Sequence, residues 1–599
     1  MYLNERDSVM KSNRVSFWII PLIFVIGSFF SAIIPPLQSP DEHDHIKRAY
    51  LLAHGIFVLE APNGSASGGL IDSGLLAYMD FYEVYSINRD RKFSIDEVDA
   101  ATSIKWTRTK IFSPAPGTGF YFPVIYAPQA IGLIVGEKFG LTVNKSYLLA
   151  RFLALAAISI ILFCAFYLYP VSPLTIALLI IPMSVFQFSS ASLDGISTAL
   201  SVFSIAAFLR IATDKEDSNL LIFYLLTVSV MLLATSRIHL LPLLTLVLAS
   251  CFYIKNKKCF IVFSLASLVV FAWIIIALKT TVDTRVIRST STSMIALSYI
   301  THPLVFIDIL RATLIVNANS YYMAFLGVLG YLDIIFSGDI YDFLTKCILL
   351  ITMFSISMKS IRAEWLPRSL LILSALASVF LIFFALLIAW TPHPAKVIEG
   401  VQGRYFLVPM IMLAYAVSGK AEINEGVFRK VALIFVVILG GGTITATTKL
   451  LIERYYLALE QPKQISKIIM TPSAPLTKNK PITLVMTENH LKNLQPLNRI
   501  GIMFGTYMRQ NSGVAELFLS TSDNQTHSVS FNLADMSDNQ YKYFNLNARV
   551  YSSGHISFVT GGGVSSWEAH DEQGSVIATC LVYEYANGVK NYTKGCPRL

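Results

Sequence analysis

Long apolar segments recur through the first three quarters of this chain, and they constrain its fold more than any other feature. A helix needs about 20 apolar residues to cross a bilayer, and about eleven segments of the 599-residue sequence approach that length and character. The chain is 54% hydrophobic and only 14% charged, whereas soluble domains carry about 25% charged residues. The sequence therefore predicts a polytopic α-helical membrane protein and excludes an ordinary soluble enzyme.

The predicted spans cover residues 15–34, 147–169, 173–190, 196–212, 220–235, 240–254, 259–278, 343–358, 369–390, 405–417 and 431–447. Two further apolar stretches, 120–135 and 321–336, are short and interrupted by proline, glycine or aspartate. We interpret both as juxtamembrane or re-entrant helices that pack against protein.

Basic residues set the predicted orientation. With eleven spans, three basic turns fall on one side together with the amino terminus; they contain Lys255 to Lys258, Lys359 to Arg368, and Lys420 to Lys430. Short loops rich in lysine and arginine remain cytoplasmic, so the amino terminus is predicted inside and the carboxyl-terminal tail outside. The net charge of +9 is then explained largely by topology, and it does not indicate nucleic acid.

The tail has a different composition from the rest of the chain. Segments 500–504, 514–519, 527–533, 541–546 and 555–559 alternate apolar and polar residues, which is typical of short strands in a sandwich or jelly roll. The predicted domains are thus a membrane domain, 1–459, and an all-β domain, 460–599. Cys580 and Cys596 are the two cysteines of the tail, and outside the cytoplasm they can form a disulfide.

Exposed aromatic residues of the tail can stack on sugar rings or fill the sandwich core, and the sequence leaves both readings open. The residues concerned are Tyr507, Tyr541, Tyr543 and Trp567.

A cluster of titratable residues follows the first span. Three prolines precede Asp41 and Glu42, and His43, Asp44, His45 and Arg48 come next. Because prolines end the helix, the two carboxylates are expected at the membrane surface, where a lipid-linked phosphate would lie. Asp41, His43 and His45 also have the ligand chemistry of a divalent-metal site. Neighbouring positions rarely point at one centre, so the expectation is no metal or other cofactor, with a divalent ion as the alternative.

Further polar residues fall on the same predicted outer side. Asp194 lies between the third and fourth spans, Arg237 and His239 between the fifth and sixth, and Gln402, Arg404 and Tyr405 at the start of the tenth. Charged groups at membrane depth are costly unless they are paired or hydrated, so their grouping predicts a polar outer cavity. The alternative is that Asp194 pairs with an arginine only to hold helices together.

Four motifs of the chain form a recognisable set: Pro40-Asp41-Glu42 followed by His45, Tyr126 to Gly132, Ser192-Leu193-Asp194, and Gly400 to Pro409, which contains Gln-Gly-Arg-Tyr-Phe. Together they resemble a bacterial family of polytopic membrane proteins of formerly unknown function that is placed in the GT-C glycosyltransferase superfamily. The resemblance covers roughly residues 33–417. The chain departs from the pattern at His43 and Asp44, where family members carry small residues or proline.

The resemblance implies a GT-C-like domain that transfers a sugar, such as glucose, from a polyprenyl-phosphate donor to a surface polysaccharide such as O-antigen. The transfer would take place on the periplasmic side of the bacterial inner membrane, where the β domain would also lie. Asp41 or Glu42 would supply the general base, with Asp41 favoured by the superfamily pattern, and the reaction would invert the anomeric carbon.

The remaining polar residues are expected to bind the donor phosphate or the substrates. Arg404, with Arg237 as second candidate, would clamp phosphate through its planar fork. The other expected contacts come from Tyr405, Gln402, Asp194, His45, Arg48 and His239. Two other functions remain open, a transporter or flippase of lipid-linked glycans and a polysaccharide polymerase or ligase.

Overall fold

A computed structural model of the chain describes residues 14–285, 291–419, 426–457, 469–487, 490–491, 495–521, 523, 525–571, 574–586 and 588–597. The chain divides into two compact units, Met1–Ala458 and Leu459–Leu599. The first is helical and the second is built from strands. The predicted domain boundary at residue 460 and the basic residue Lys420 lie outside the described residues.

The first unit is a bundle of apolar helices with a long polar excursion between its first two long helices. In chain order its helices are α1 (Arg14–Ile33), α2 (Glu42–Ala53), α3 (Ser73–Ile87), α4 (Ile95–Thr102), α5 (Ala127–Lys138), α6 (Val143–Leu168), α7 (Pro173–Ile180), α8 (Pro182–Phe188), α9 (Asp194–Asp214), α10 (Leu220–Ser236), α11 (Leu244–Ile254), α12 (Lys257–Thr280), α13 (Thr292–Thr301), α14 (Pro303–Gly327), α15 (Gly338–Ser355), α16 (Met358–Ala363), α17 (Trp365–Ala389), α18 (Leu407–Val417) and α19 (Val427–Tyr455). Two short antiparallel ladders join β1 (Gly68–Asp72) to β2 (Lys110–Pro114) and β3 (Val328–Leu329) to β4 (Ile334–Ile335).

Six helices of the described residues are long and apolar enough to cross a membrane: α6, α9 with its following turn, α12, α14, α17 and α19. Shorter apolar helices cover most of the other predicted spans, and α7 and α8 together cover 173–190. The break between α7 and α8 falls at Ile181 and Pro182, because proline forces the residue before it out of the helical region. The structure thus confirms a helical membrane-type unit.

Burial separates the centre of the bundle from its periphery. In the apolar window of α9, 89% of the residues are buried, whereas α12 has 22% buried and presents apolar side chains outward. An apolar outward face suits hydrocarbon as its solvent. Helix α9 therefore lies at the centre of the unit, and its first residue, Asp194, lies at the centre of one end.

The structure has a long helix, α14, at residues 303–327, where the sequence analysis predicted no span. By length and composition α14 can cross a membrane, but its contacts follow the segment between α17 and α18. The Thr313 hydroxyl accepts from the Ile398 amide at 2.8 Å, and the ring of Tyr321 lies 6.0 Å from that of Phe406. Phe306 near its start and Tyr321 near its end both pack on the second half of α17, with ring centres 4.9 Å from that of Phe380 and 6.0 Å from that of Phe383. The helix therefore crosses α17 near the site-end terminus of that helix, and the juxtamembrane interpretation of 321–336 stays a prediction.

The ends of the helices fall into two groups. We call the end that carries Asp194 the site end. Helices α1 and α19 both finish there, because the Tyr456 hydroxyl donates to the Ile33 carbonyl at 2.7 Å. At the opposite end Tyr169 donates to Glu364 at 3.2 Å. The last described residues of the first unit thus lie at the site end.

The second unit is a sandwich of two antiparallel sheets. Its strands are β5 (Ile469–Pro472), β6 (Ile482–Leu484), β7 (Leu497–Gly505), β8 (Val514–Thr521), β9 (Thr526–Asn532), β10 (Gln540–Arg549), β11 (Tyr551–Phe558), β12 (Ser565–His570), β13 (Val576–Thr579), β14 (Leu581–Tyr585) and β15 (Lys590–Tyr592). One sheet has the order β13-β12-β7-β14-β15, with β10 beside β7 and β5 beside β12, and the other has the order β6-β11-β8-β9. Ile502 of the first sheet and Leu517 of the second belong to one buried apolar core. The five strands predicted from alternation correspond to β7 to β11.

Cys580 and Cys596 form a disulfide in this unit. Of the aromatic residues considered for sugar stacking, Trp567 donates its indole N–H to Asn539 at 2.9 Å and Tyr541 donates to the Pro597 carbonyl at 2.9 Å. Their polar atoms are therefore engaged within the unit.

Candidate functional site

Asp41 stands at the N-cap of α2 with its carboxylate at the surface of the site end. Its backbone has φ 63° and ψ 3°, the left-handed region that aspartate and asparagine tolerate better than most residues. Nη2 of Arg404 lies 2.5 Å from its Oδ2, and the Asp41 side chain is 47% exposed while that of Arg404 is 3% exposed. Burial opposes ionisation, but the Arg404 charge outweighs it and lowers the pKa of Asp41. The group is thus an accessible carboxylate anchored on a buried cation.

Arg404 is positioned by a short 3-10 turn, Gly403–Phe406, that leads into α18. A side chain at Gly403 would meet the backbone nitrogen of Phe325 at 2.1 Å, so only glycine allows the turn to pack this closely on α14. From there Nη1 of Arg404 donates to the Pro40 carbonyl at 3.2 Å and lies 3.1 Å from Oδ2 of Asp194. One guanidinium therefore joins the start of α2 to the start of α9.

Arg237 adds a second buried guanidinium. It forms an ion pair and a hydrogen bond with Asp194, and its guanidinium carbon lies 5.3 Å from the ring centre of Tyr121 and 5.6 Å from that of Tyr405. Such cation–π contacts stabilise a desolvated cation. The alternating series Asp41, Arg404, Asp194 and Arg237 is consequently continuous, and it includes the ion pair that the sequence analysis considered for Asp194.

Two histidines lie beside this series. Nδ1 of His45 is 2.7 Å from the Tyr126 hydroxyl, and burial lowers the pKa of His45 to about 4, so its ring is neutral near pH 7. The His239 ring lies 6.1 Å from that of Tyr405. Both rings therefore shape the polar wall of the site.

Glu42 has a different environment from Asp41. It is fully buried; its carboxylate accepts from the Tyr147 hydroxyl and the Ala191 amide, both at 2.7 Å, and pairs with Arg151 at 3.4 Å. Burial would raise its pKa, but Arg151 and these hydrogen bonds lower it. Its oxygens are saturated by protein donors, so the geometry leaves Asp41 as the carboxylate that a substrate can reach and gives Glu42 a supporting position.

Arg151 and Tyr147 are the principal residues that the sequence reasoning missed. Arg151 also donates to the Ile34 carbonyl at 2.8 Å and to the Pro35 carbonyl at 3.1 Å, and it thereby fixes the loop that carries Asp41. An arginine inside a predicted span needs a partner, and that requirement was the signal in the sequence.

Arg48 and Gln402 lie near the site without reaching its carboxylates. Arg48 is buried, donates to the Phe57 carbonyl at 2.6 Å and, at 3.4 Å, to that of Tyr121. The Gln402 carbonyl accepts from the Tyr405 amide at 3.1 Å. In this arrangement they support the Tyr121 and Tyr405 segments.

The metal alternative is not supported by the described residues. They contain no group of three histidine, cysteine, aspartate or glutamate side chains that could hold a metal ion. The Asp41 carboxylate pairs with Arg404, and the His45 ring hydrogen-bonds with Tyr126. The three residues proposed as ligands therefore do not converge on one point.

A small cavity of about 20 Å³ is lined in part by Arg404. A cavity of this size holds about one water molecule. Its lining includes Gln187, Asp194, Ser197, Arg237, His239, Arg404 and Tyr405. The Asp194 carboxylate thus lies between two guanidiniums at this cavity.

Comparison with known proteins identifies the family of the helical unit. No curated protein matches the chain significantly. Among solved structures, the arabinosyltransferase EmbB from Mycobacterium smegmatis is similar with 10% sequence identity and a TM-score of 0.21; the alignment covers 92% of this chain, which spans 64% of that chain's length. A similarity at this TM-score adds nothing about fold or activity. The family model described as "Predicted membrane protein (DUF2142)" matches residues 24–414, and the chain therefore belongs to this family of membrane proteins.

Proposed function

We propose that this protein is an inverting membrane glycosyltransferase that moves a hexose, such as glucose, from a polyprenyl-phosphate donor to a surface polysaccharide such as O-antigen. One observation carries the proposal. A half-exposed carboxylate, Asp41, lies 2.5 Å from the buried guanidinium of Arg404, and a second guanidinium, Arg237, follows beyond Asp194. The site end thus offers a base for a hydroxyl and cations for a phosphate in direct succession.

The guanidiniums account for the donor. Arginine binds phosphate through two parallel N–H donors, and Nη2 of Arg404 is engaged by Asp41 before the donor arrives. A donor phosphate that takes over this nitrogen releases the Asp41 carboxylate. Donor binding and liberation of the base are then the same event.

The chemical step follows from the freed carboxylate. Asp41 accepts the proton of an acceptor hydroxyl, whose oxygen forms a bond to the anomeric carbon. The bond between that carbon and the phosphate oxygen breaks, and polyprenyl phosphate leaves with the electron pair, held by Arg404 and Arg237. No general acid is required because the phosphate leaves as an anion, and the direct displacement inverts the anomeric centre.

The distribution of basic residues supports an orientation with the site end outside the cytoplasmic membrane. Lys215, Lys255, Lys257, Lys258 and Lys359 belong to short turns at the opposite end. Short loops of this kind stay in the cytoplasm, whereas long loops such as 35–142 do not report orientation. The amino terminus is then cytoplasmic, and the chain leaves the helical unit on the periplasmic side of a bacterial inner membrane.

Asp41→Asn tests the base. The substitution keeps the size and the left-handed backbone of the residue but removes its proton-accepting charge, so we expect a folded protein with transfer reduced by at least about a hundredfold. The assay supplies a radiolabelled polyprenyl-phosphate sugar and an acceptor glycan to membranes that contain the protein. Asp80→Asn, an exposed carboxylate of α3, is the control. Turnover of Asp41→Asn near the wild-type rate would refute the assignment.

Arg404→Lys tests the phosphate clamp. Lysine keeps the charge but loses the fork, so we expect the KM for the donor to rise by about tenfold or more. The KM for the acceptor should change little. An unchanged donor KM would remove Arg404 from the donor site.

A further inference from the structure

A second group of polar and aromatic side chains lies on the solvent side of Asp41 and has no part in the mechanism above. Asp44 follows Asp41 by one helical turn on α2, so the two carboxylates share a face. Arg285, beyond the end of α12, approaches the same place. An ideal Cβ on Gly117 would lie 3.0 Å from Nη2 of Arg285 and 3.6 Å from Oδ2 of Asp44. The guanidinium of Arg285 and the carboxylate of Asp44 therefore both lie close to the backbone of Gly117.

Arg285 is held in place by its neighbours while part of it stays open to solvent. Its Nε and Nη2 donate to the two oxygens of Asp283 at 2.9 and 2.7 Å, and its guanidinium carbon lies 5.0 Å from the ring centre of Trp390. Trp390 in turn packs on Gly400, where an ideal Cβ would meet its Cδ1 at 2.3 Å. The side chain of Arg285 is 40% exposed, so a ligand can reach it.

Tyr331 completes the group from the turn between β3 and β4. It is 42% exposed, and the charges of Asp41, Asp44, Glu83 and Arg285 act on its phenol. Burial and the carboxylates raise its pKa to about 12, so the hydroxyl stays protonated and can donate a hydrogen bond. The group thus contains a hydrogen-bond donor, a carboxylate acceptor, a cation and two aromatic rings.

This combination suits a sugar ring better than a phosphate. A sugar presents hydroxyls that need both donors and acceptors, and apolar C–H faces that pack on aromatic rings. Asp44 and Asp283 outnumber the single guanidinium of Arg285, which disfavours a phosphate, whereas the buried Arg404 and Arg237 outnumber Asp194. The two groups of residues therefore differ in the chemistry that they can bind.

We propose that Asp44, Arg285, Tyr331 and Trp390 form the subsite for the acceptor sugar. The inference rests on the proposed function, because it gives Asp41 an acceptor hydroxyl on one side and the donor phosphate on the other. The subsite accounts for the position of Asp41 beside two groups of residues, one with an excess of carboxylates and one with an excess of guanidiniums.

Kinetics of two variants and two matched controls test the subsite. Trp390→Leu and Tyr331→Phe each remove one contact, and we expect the KM for the acceptor to rise about tenfold, the equivalent of about 1.4 kcal/mol, with the donor KM unchanged. Trp365→Leu, at the other end of α17 and 64% exposed, and Tyr322→Phe, 40% exposed on α14, are the controls. The acceptor is the glycolipid fraction extracted from cells that lack this protein, titrated against the full-length chain in nanodiscs.

The outcomes separate the subsite from the proposed function. Acceptor KM values at the wild-type level in both variants, while Arg404→Lys raises the donor KM, would overturn the subsite and leave the function intact. If the wild type transfers no sugar, the proposed function fails, and direct binding of the same glycolipid decides the subsite. Binding about tenfold weaker in Trp390→Leu and Tyr331→Phe than in the controls would support it. Equal binding in all four variants, or none to the wild type, would overturn it.

Discussion

The neighbouring carboxylates of Asp41 and Glu42 differ sharply in their exposure to solvent. Asp41 is half-exposed and Glu42 is completely buried against Arg151, Tyr147 and the Ala191 amide. Breaking a buried pair leaves an uncompensated charge and costs about 3–5 kcal/mol. We therefore expect Glu42→Gln to lower the melting temperature or prevent folding. Asp41→Asn should cost much less stability, because Arg404 keeps its ion pair with Asp194.

Thermal unfolding of the purified variants measures this difference. The double variant Glu42→Gln with Arg151→Met removes both charges and should recover part of the lost stability. An inactive Glu42→Gln with wild-type stability would contradict the supporting position and return Glu42 to the chemical step.

Asp44 gives the site a pH-dependent stability. Burial raises its pKa from 3.8 to about 6, although Lys47 and Arg285 oppose the shift. Because the folded state then binds the proton more tightly than the unfolded state, this contribution is complete below about pH 4 and is lost as the pH rises through 6. We expect the wild type to lose about 2–5 °C more than Asp44→Asn between pH 5 and pH 8.

Melting temperatures of both proteins at the two pH values check the sign. Asp80→Asn, which removes an exposed carboxylate of α3, should follow the wild type. Equal losses in the wild type and Asp44→Asn would show that Asp44 does not titrate in this range.

Candidate site residues at the ends of apolar segments could be predicted from the sequence, because a charged group at membrane depth is costly unless it is paired or hydrated. Asp41, Asp194, Arg237 and Arg404 were found in this way, and the structure brings them into one series. Their catalytic and binding roles remain predictions. Arg285 could not be linked to Asp44, because about 240 residues separate them and no pattern of apolar residues reports such a contact.

At the scale of elements, the close contact between the Gly403–Phe406 turn and α14 sets the position of Arg404. A methyl group at Gly403 would meet the Phe325 nitrogen at 2.1 Å, and backbone atoms cannot move aside as a flexible side chain can. We expect Gly403→Ala to shift Arg404 and to reduce transfer by about 10–100-fold in a protein that still inserts into membranes.

Steady-state transfer assays with the donor varied measure this loss. Gly338→Ala is the matched control, since nothing lies within 4 Å of a Cβ there. Full activity of Gly403→Ala would show that the turn tolerates displacement and that its packing does not position Arg404.

Elements with a strong apolar or alternating pattern could be predicted, whereas α14 could not. The sequence of α14 contains Asp308, Arg311, Asn317 and Asn319, which dilute the apolar signal that identifies a span. Its partner is another segment of the protein at the site end, so tertiary contacts with Ile398 and Phe406 decide its place. Such contacts are not encoded in the local period of the sequence.

Short basic turns of the helical unit lie at the end opposite the site end, and this predicts that the opposite end faces the cytoplasm. Ser337 belongs to the site end and Asp217 to the opposite end, in a turn beside Lys255. In a Cys164→Ser background, a membrane-impermeant maleimide should label Ser337→Cys on intact cells with the outer membrane permeabilised. Asp217→Cys should react only after the inner membrane is disrupted.

The reverse labelling pattern would place the site end in the cytoplasm and would exclude a periplasmic transfer. The unsubstituted Cys164→Ser chain gives the background, because the remaining cysteines of the helical unit are buried. At this scale the two-part architecture was predictable from composition, since apolar runs and alternating strands occupy separate parts of the sequence. How the polar loops fold over the site end was not, because it depends on buried pairs such as that of Asp333 with Arg454.

The left-handed backbone of Asp41 also limits which sequences this position can accept over evolutionary time. Aspartate, asparagine and glycine adopt that conformation at low cost, whereas glutamate gains no local hydrogen bond that would compensate for it. Among these three residues aspartate alone carries a negative charge. Glutamate is therefore disfavoured here, and a homologue with asparagine or glycine would retain the fold after losing the charge. If Asp41 is the base, as proposed, such homologues are expected to be inactive and can be identified from sequence alone.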